Sequence, residues 1–303
     1  MNRSMTNSRR GILASTAAIV ALISAAPVLG RAGFAPAGAQ SAFPPPWSSG
    51  TLCVRGTLQC VDGVVAEMRK RLRGLAERCD HDAVFALLYL RTTEEYQRTV
   101  AADPAFFVDT AYVNREDAMF ADDYFGPYDA WHAGAGGVPP AWAIAFEAAE
   151  RREVSGSGNT LLGMNAHINR DLPFVLARLG LTHPDGSSRK PDHDKVNQIL
   201  RVVAHGPVLD EAAGRFDPSM RNSDIPGTTL DNEAFYQLVV LWRERAWHNA
   251  VRLVTATSTI ERQLIAADIE QSAAAQALAI KASAAYTPPV SSTDFRDAYC
   301  GAQ

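Results

Sequence analysis

The chain is poor in cysteine. Four are present among 303 residues, Cys53, Cys60, Cys79 and Cys300, and no two form a CxxC pair. That spacing argues against a thiolate zinc framework. Charge of one sign is lacking too: 29 Lys and Arg stand against 33 Asp and Glu, a net charge of −4. So small and mixed a balance gives no nucleic-acid surface. No stretch alternates convincingly between apolar and polar residues, as a half-buried strand would, and there is no internal repeat. The common catalytic signatures are missing as well. There is no Gly-x-Ser-x-Gly elbow, no phosphate-binding glycine loop and no HExxH pair. What is there, 47% hydrophobic and 20% charged residues, is an ordinary globular composition with ample material for a core.

The N-terminus reads as an export signal over residues 1–39. Arg3, Arg9 and Arg10 precede an uncharged stretch from Gly11 to Gly30, and Ala37-Gly38-Ala39 offers a small-residue cleavage site before Gln40. Ser24-Ala25-Ala26 offers an earlier one. An uncleaved anchor is the alternative, but the stretch is rich in Ala, Ser and Gly and contains Pro27, so it is weakly hydrophobic. Ser8-Arg9-Arg10-Gly11-Ile12-Leu13 resembles a twin-arginine signal, and a general secretory signal with two adjacent arginines competes with it. Either route makes the mature chain secreted or extracytoplasmic, with no stable membrane span. Residues 40–52, with Pro44-Pro45-Pro46, form a stiff linker, and residues 53–303 form the folded domain.

In an oxidising compartment four cysteines imply two disulfides, with three pairings possible. Residues 61–78 show helical periodicity, which would hold Cys60 and Cys79 about 28 Å apart. A disulfide needs Cα atoms within about 7 Å. The remaining pairings are 53–60 with 79–300, and 53–79 with 60–300. Gly56 favours the first by letting the short loop close.

Apolar residues then recur at intervals of three and four through most of the chain. The spacing predicts a helix over Val61–Glu77, then one capped by Asp80 and running to about Val100. A third opens at Asp103-Pro104 and ends at Gly126-Pro127. Residues 133–138 are a glycine loop, and a fourth helix starts at Pro139-Pro140. A helix stopped by Gly180, one over 192–204, one from Asp231 to about Thr255 and one over Ile260–Ala284 follow. Residues 206–228 read as irregular, and a division into two domains there is the runner-up. The expected architecture is all-α, a single bundle-like domain of seven or eight helices.

One helix stands apart. LLGMNAHINRDLPFVL, residues 161–176, sets Asn165, His167, Asn169, Arg170 and Asp171 into an apolar stripe and then places Pro173. His167 and Asp171 are four apart and share a flank. Asp171 also lies on the inward row of Met164, Ile168 and Val175, where a bare carboxylate is costly. Pro173 removes the N–H owed to the Asn169 carbonyl, which predicts a kink beside Asp171. An imidazole and a carboxylate one turn apart can hold a cation. They can equally belong to a buried network that fixes packing.

Other residues could join them. His81 opens an inward row with Phe85, Leu88 and Thr92, and a helix N-terminus favours its neutral form. Asp109, on a row with Tyr112 and Glu116, could supply a further oxygen ligand. Arg245, on a row with Leu238 and Trp242, could pair with Asp171 or Asp109, and His248 follows it by three. His132 adjoins the glycine loop, while His183, His193 and His205 read as turn or surface residues.

CDHDAVFALLYLRTTEEY and LLGMNAHINRDLP resemble landmarks of an uncharacterised bacterial family, the domain of unknown function 5995. The resemblance runs from about Cys60 to His248, rests on His81, His167, Asn169 and Asp171, and implies a mostly helical fold without an assigned activity. The leading expectation is a metal-dependent hydrolase. His81, His167 and Asp171, with Asp109, would hold a divalent cation, zinc by ligand type. Arg245 and His248 would steady developing charge. The alternatives are a helical protein that binds a small apolar, lipid-like or haem-like ligand, and a bundle whose polar cluster is only a buried network.

Overall fold

A computed structural model describes residues 53–223, 230–289 and 291–303, which belong to one compact unit. The expected signal and linker, residues 1–52, and residues 224–229 of the expected irregular stretch lie outside the described residues. Helices take 75% of the described residues, and among these there is no strand, only two isolated bridges. The all-α expectation holds. Seven or eight helices was too few.

Helix α1 (Leu58–Ala76) buries Val61, Val64, Val65, Met68, Leu72 and Leu75, one apolar stripe at the expected spacing. It packs on α2 (Ala83–Ala102). Every residue of α2 from Ala83 to Leu90 is buried, so α2 is the central helix. Asp80 does not cap it. Its carboxylate accepts from the Asp82 N–H in the turn before the helix.

Helix α3 (Thr110–His132) is capped by Asp109, whose carboxylate accepts from the Tyr112 N–H at 2.9 Å. The expected end at Gly126-Pro127 is wrong, for the helix runs through Pro127. Tertiary contacts outweigh the missing hydrogen bond. Tyr128 and Trp131 pack on Phe146 of α4 (Pro140–Glu150), and Arg71 makes a bidentate pair with Asp129 at 2.6 and 2.8 Å.

Helix α5 (Gly156–Met164) passes into a π-helical turn over Asn165–Asp171, and α6 (Leu172–Leu179) continues it until Gly180, at φ 87°, stops the chain. The expected kink at Pro173 is thus a change of helix type. The Leu172 N–H reaches back five residues to the His167 carbonyl, which lets the chain pass the proline without a broken ladder. A Cβ on Gly163 would meet Phe85 at 2.4 Å, so α5 lies directly on α2 there.

Helix α7 (Lys190–Ala204) follows, then α8 (Val208–Arg215) and a 3₁₀ turn (Pro218–Ser223). The described part of the stretch expected to be irregular, residues 206–223, is therefore largely helical. Eight residues are too few for periodicity to reveal. The long helices α9 (Leu230–Thr255) and α10 (Thr259–Ser283) come next, and α11 (Thr293–Cys300) ends the fold.

The disulfides are Cys53–Cys60 and Cys79–Cys300, the favoured pairing. The second ties α11 to the turn before α2. Around it, the buried Arg296 donates to Asn159 at 2.7 Å and to the His81 carbonyl at 3.3 Å, and lies 3.9 Å from Asp217.

Candidate functional site

The π turn sets its polar side chains against different neighbours. Asn165 donates to the Ala273 carbonyl on α10, and Asn169 donates to the Asn165 side chain at 3.1 Å. These amides hold the turn to α10. His167 and Asp171 face the opposite helices. The Asp171 side chain is fully buried and takes three polar contacts: His167 Nδ1 at 3.0 Å, the Trp142 indole N–H at 2.9 Å and Arg170 at 2.9 Å. Arg170 also pairs with Glu270 of α10 at 2.7 Å.

Burial pushes the Asp171 carboxyl up to about 7, against the pull of Arg170 and Trp142. When Asp171 is ionised all three neighbours donate to it, and the imidazole then carries its proton on Nδ1. Burial drives the His167 pKa well below its ordinary value, and the ring is neutral. It lies flat on Phe120, with ring centres 3.4 Å apart, and meets Tyr89 edge-on at 4.5 Å. Its Nε2 is buried without a hydrogen-bond partner, as is the Tyr89 hydroxyl.

Both side chains line a cavity of about 130 Å³. Its walls come from α2 (Phe85, Leu88, Tyr96), α3 (Phe120), α7 (Ile199, Val203) and α9 (Val239). Its charged residues are Glu116, Asp117 and Arg243. Arg243 is buried and held by the His193 carbonyl at 2.7 Å and the Asn197 side chain at 2.9 Å. Burial raises Glu116 to about 7 against the pull of Arg243. Burial, with Glu116 alongside, raises Asp117 to about 8.

These two carboxyls and Asp171 set a pH dependence, to which Asp82, also raised by burial, adds. The ordinary values are 4.5 for Glu116 and 3.8 for the aspartates, so near neutral pH the folded state binds more protons than the unfolded one. Stability must then fall as pH rises. Below 6.5 the buried His81, His167 and His193, whose values are lowered, work in the opposite sense. From pH 6.5 to 8 the carboxyls outweigh the imidazoles. Urea unfolding should show a loss of roughly 2–3 kcal/mol over that interval, and Asp117→Asn should reduce it. An unchanged slope in the variant would remove Asp117 as a cause.

The sequence-predicted residues fall into separate places. His167 and Asp171 are in direct contact. His81 is buried elsewhere, its Nε2 2.8 Å from Asp297 of α11, and burial lowers it to about 4. Asp109 caps α3 and pairs with Arg189 at 2.7 Å. Although burial pushes it up, that guanidinium and the Tyr112 N–H hold it below the usual carboxylate range. Arg245 donates to Gln276, and the guanidinium on Asp171 is that of Arg170. His248 is exposed, its Nδ1 3.0 Å from the Glu244 carbonyl. His132 stacks on Tyr128 at 4.0 Å. His193, read as a turn or surface residue, is buried. Among the described residues no group of three or more His, Cys, Asp or Glu is arranged to hold a metal ion.

Sequence reasoning missed Trp142, Phe120, Tyr89, Asp117 and Arg243. The Glu116-Asp117 pair between the buried Val113 and Ala118 of α3 was the available signal. Arg243 was hidden because Arg245 also lies on an apolar row of the same helix.

These features define a helical, disulfide-bonded protein with a buried His–Asp pair beside an aromatic-walled cavity. The model of a family of unknown function, DUF5995, matches residues 61–283, and the chain belongs to that family. No curated protein and no solved structure matches it. No helix among the described residues is long and apolar enough to cross a membrane.

Proposed function

We propose that this protein binds a small, mainly apolar molecule in the cavity between α2, α3, α7 and α9. One observation carries the reading: an apolar cavity of about 130 Å³ whose wall includes buried polar groups without protein partners. An apolar recess with buried, unpartnered polar atoms in its wall is the usual form of a small-molecule site. An engineered apolar cavity of about 150 Å³ takes up benzene. The volume suits one ring. The protein acts outside the cytoplasm in this reading, as two disulfides suggest, and residues 1–39 serve as its export signal.

Toluene is the simplest probe. Saturating toluene should raise the unfolding free energy by roughly 1–3 kcal/mol. Val239→Phe, which fills the cavity from α9, should abolish the gain while retaining the helical circular dichroism. No stabilisation of the wild-type protein by toluene would sink the reading. The metal-dependent hydrolase remains a second reading because His167 Nε2 is an available ligand atom. Metal analysis of the purified protein separates the two.

A further inference from the structure

The cavity is not uniformly apolar, and its polar wall has a definite donor and acceptor pattern. His167 turns Nδ1 to Asp171, and with that carboxyl ionised Nδ1 donates and Nε2 presents a lone pair. Asp171 is fixed in turn by Trp142 and Arg170, which leaves the imidazole little freedom to rotate or change tautomer. The flat Phe120 ring supports one face of the imidazole. Tyr89, edge-on to it, has a hydroxyl that can donate and accept. Both atoms are buried without partners, and the parent residues are 3% and 7% exposed. Leaving such groups unpaired is unfavourable.

We propose that the ligand is a ring-sized molecule bearing a hydroxyl, which donates to His167 Nε2 and accepts from the Tyr89 O–H. The inference rests on the cavity-binding reading above and narrows it. A hydroxyl is the small neutral group that meets one acceptor and one donor together. A carbonyl or carboxylate offers only acceptors, and would set lone pairs against Nε2. An ammonium offers only donors, and enters an apolar enclosure at the cost of its hydration. Burial also holds the Tyr89 phenol far above its ordinary pKa, so it keeps its proton to donate.

Phenol and toluene differ only by a hydroxyl in place of a methyl, so calorimetric titration with each tests the head group directly. In a purely apolar cavity phenol binds more weakly, because its hydroxyl loses water and gains nothing. Here phenol should bind about tenfold tighter than toluene, the worth of one hydrogen bond. Tyr89→Phe should erase most of that advantage, read as the ratio of phenol to toluene affinity within the same variant. Phenol should also move the ¹⁵N resonance of His167 Nε2, a measurement that does not depend on a variant folding. Benzylamine should bind no tighter than toluene. Equal binding of phenol and toluene would overturn the hydroxyl assignment while leaving cavity binding intact. Tightest binding by benzylamine would also overturn it, in favour of Glu116 and Asp117 as the recognition groups. Binding of none of the three would overturn the cavity reading itself.

Discussion

Replacing Asp171 with alanine should destabilise the protein by about 3–5 kcal/mol, as removal of one partner of a buried ion pair does. The carboxylate is fully buried and takes contacts from Arg170, Trp142 and His167. Alanine would strand the Trp142 and His167 N–H groups in the core and leave a void beside them. Arg170 suffers less, since Glu270 still pairs with it. Asp171→Asn keeps the volume and at least one acceptor, so its cost should be roughly half as large. Chemical denaturation of the two variants checks the order. If alanine costs no more than asparagine, the three donors are not what holds the carboxylate in place.

The His167–Asp171 pair was legible from sequence because i and i+4 residues meet on any helix, and a π turn preserves that contact. The inward placement of Asp171 was legible for the same reason. Its partners were not. Arg170 is the preceding residue in the chain, where helical rows do not look for a partner, and its long side chain reaches round to the carboxylate. Trp142 is 29 residues away on α4, and no local pattern connects it to Asp171. Pro173 signalled that the helix was irregular but could not say how, since a kink and a π turn both satisfy its missing N–H. His81 shows the opposite failure. Its inward row was real, but the row led to α11, an eight-residue helix that the pattern did not reveal.

That helix carries the other large effect. Breaking Cys79–Cys300 should destabilise the protein by about 5 kcal/mol, and breaking Cys53–Cys60 by about 2. The bonds close loops with sequence separations of 221 and 7, and the chain-entropy contribution grows with the logarithm of loop length. Cys79→Ser with Cys300→Ser, against Cys53→Ser with Cys60→Ser, makes the comparison. The long-range bond also guards buried charge. Arg296 and Asp217 are both almost wholly buried and lie across the junction that the disulfide closes, and the Gly156 N–H donates to Asp217 at 2.6 Å to start α5. If α11 detached, Asp217 would lose the guanidinium and keep only backbone and hydroxyl partners. The first variant pair should therefore expose the start of α5, the helix that leads into the π turn, to hydrogen exchange, and the second should not. Equal destabilisation by both pairs, with no change in exchange at Gly156–Met164, would show that the C-terminal helix is held by its noncovalent contacts alone.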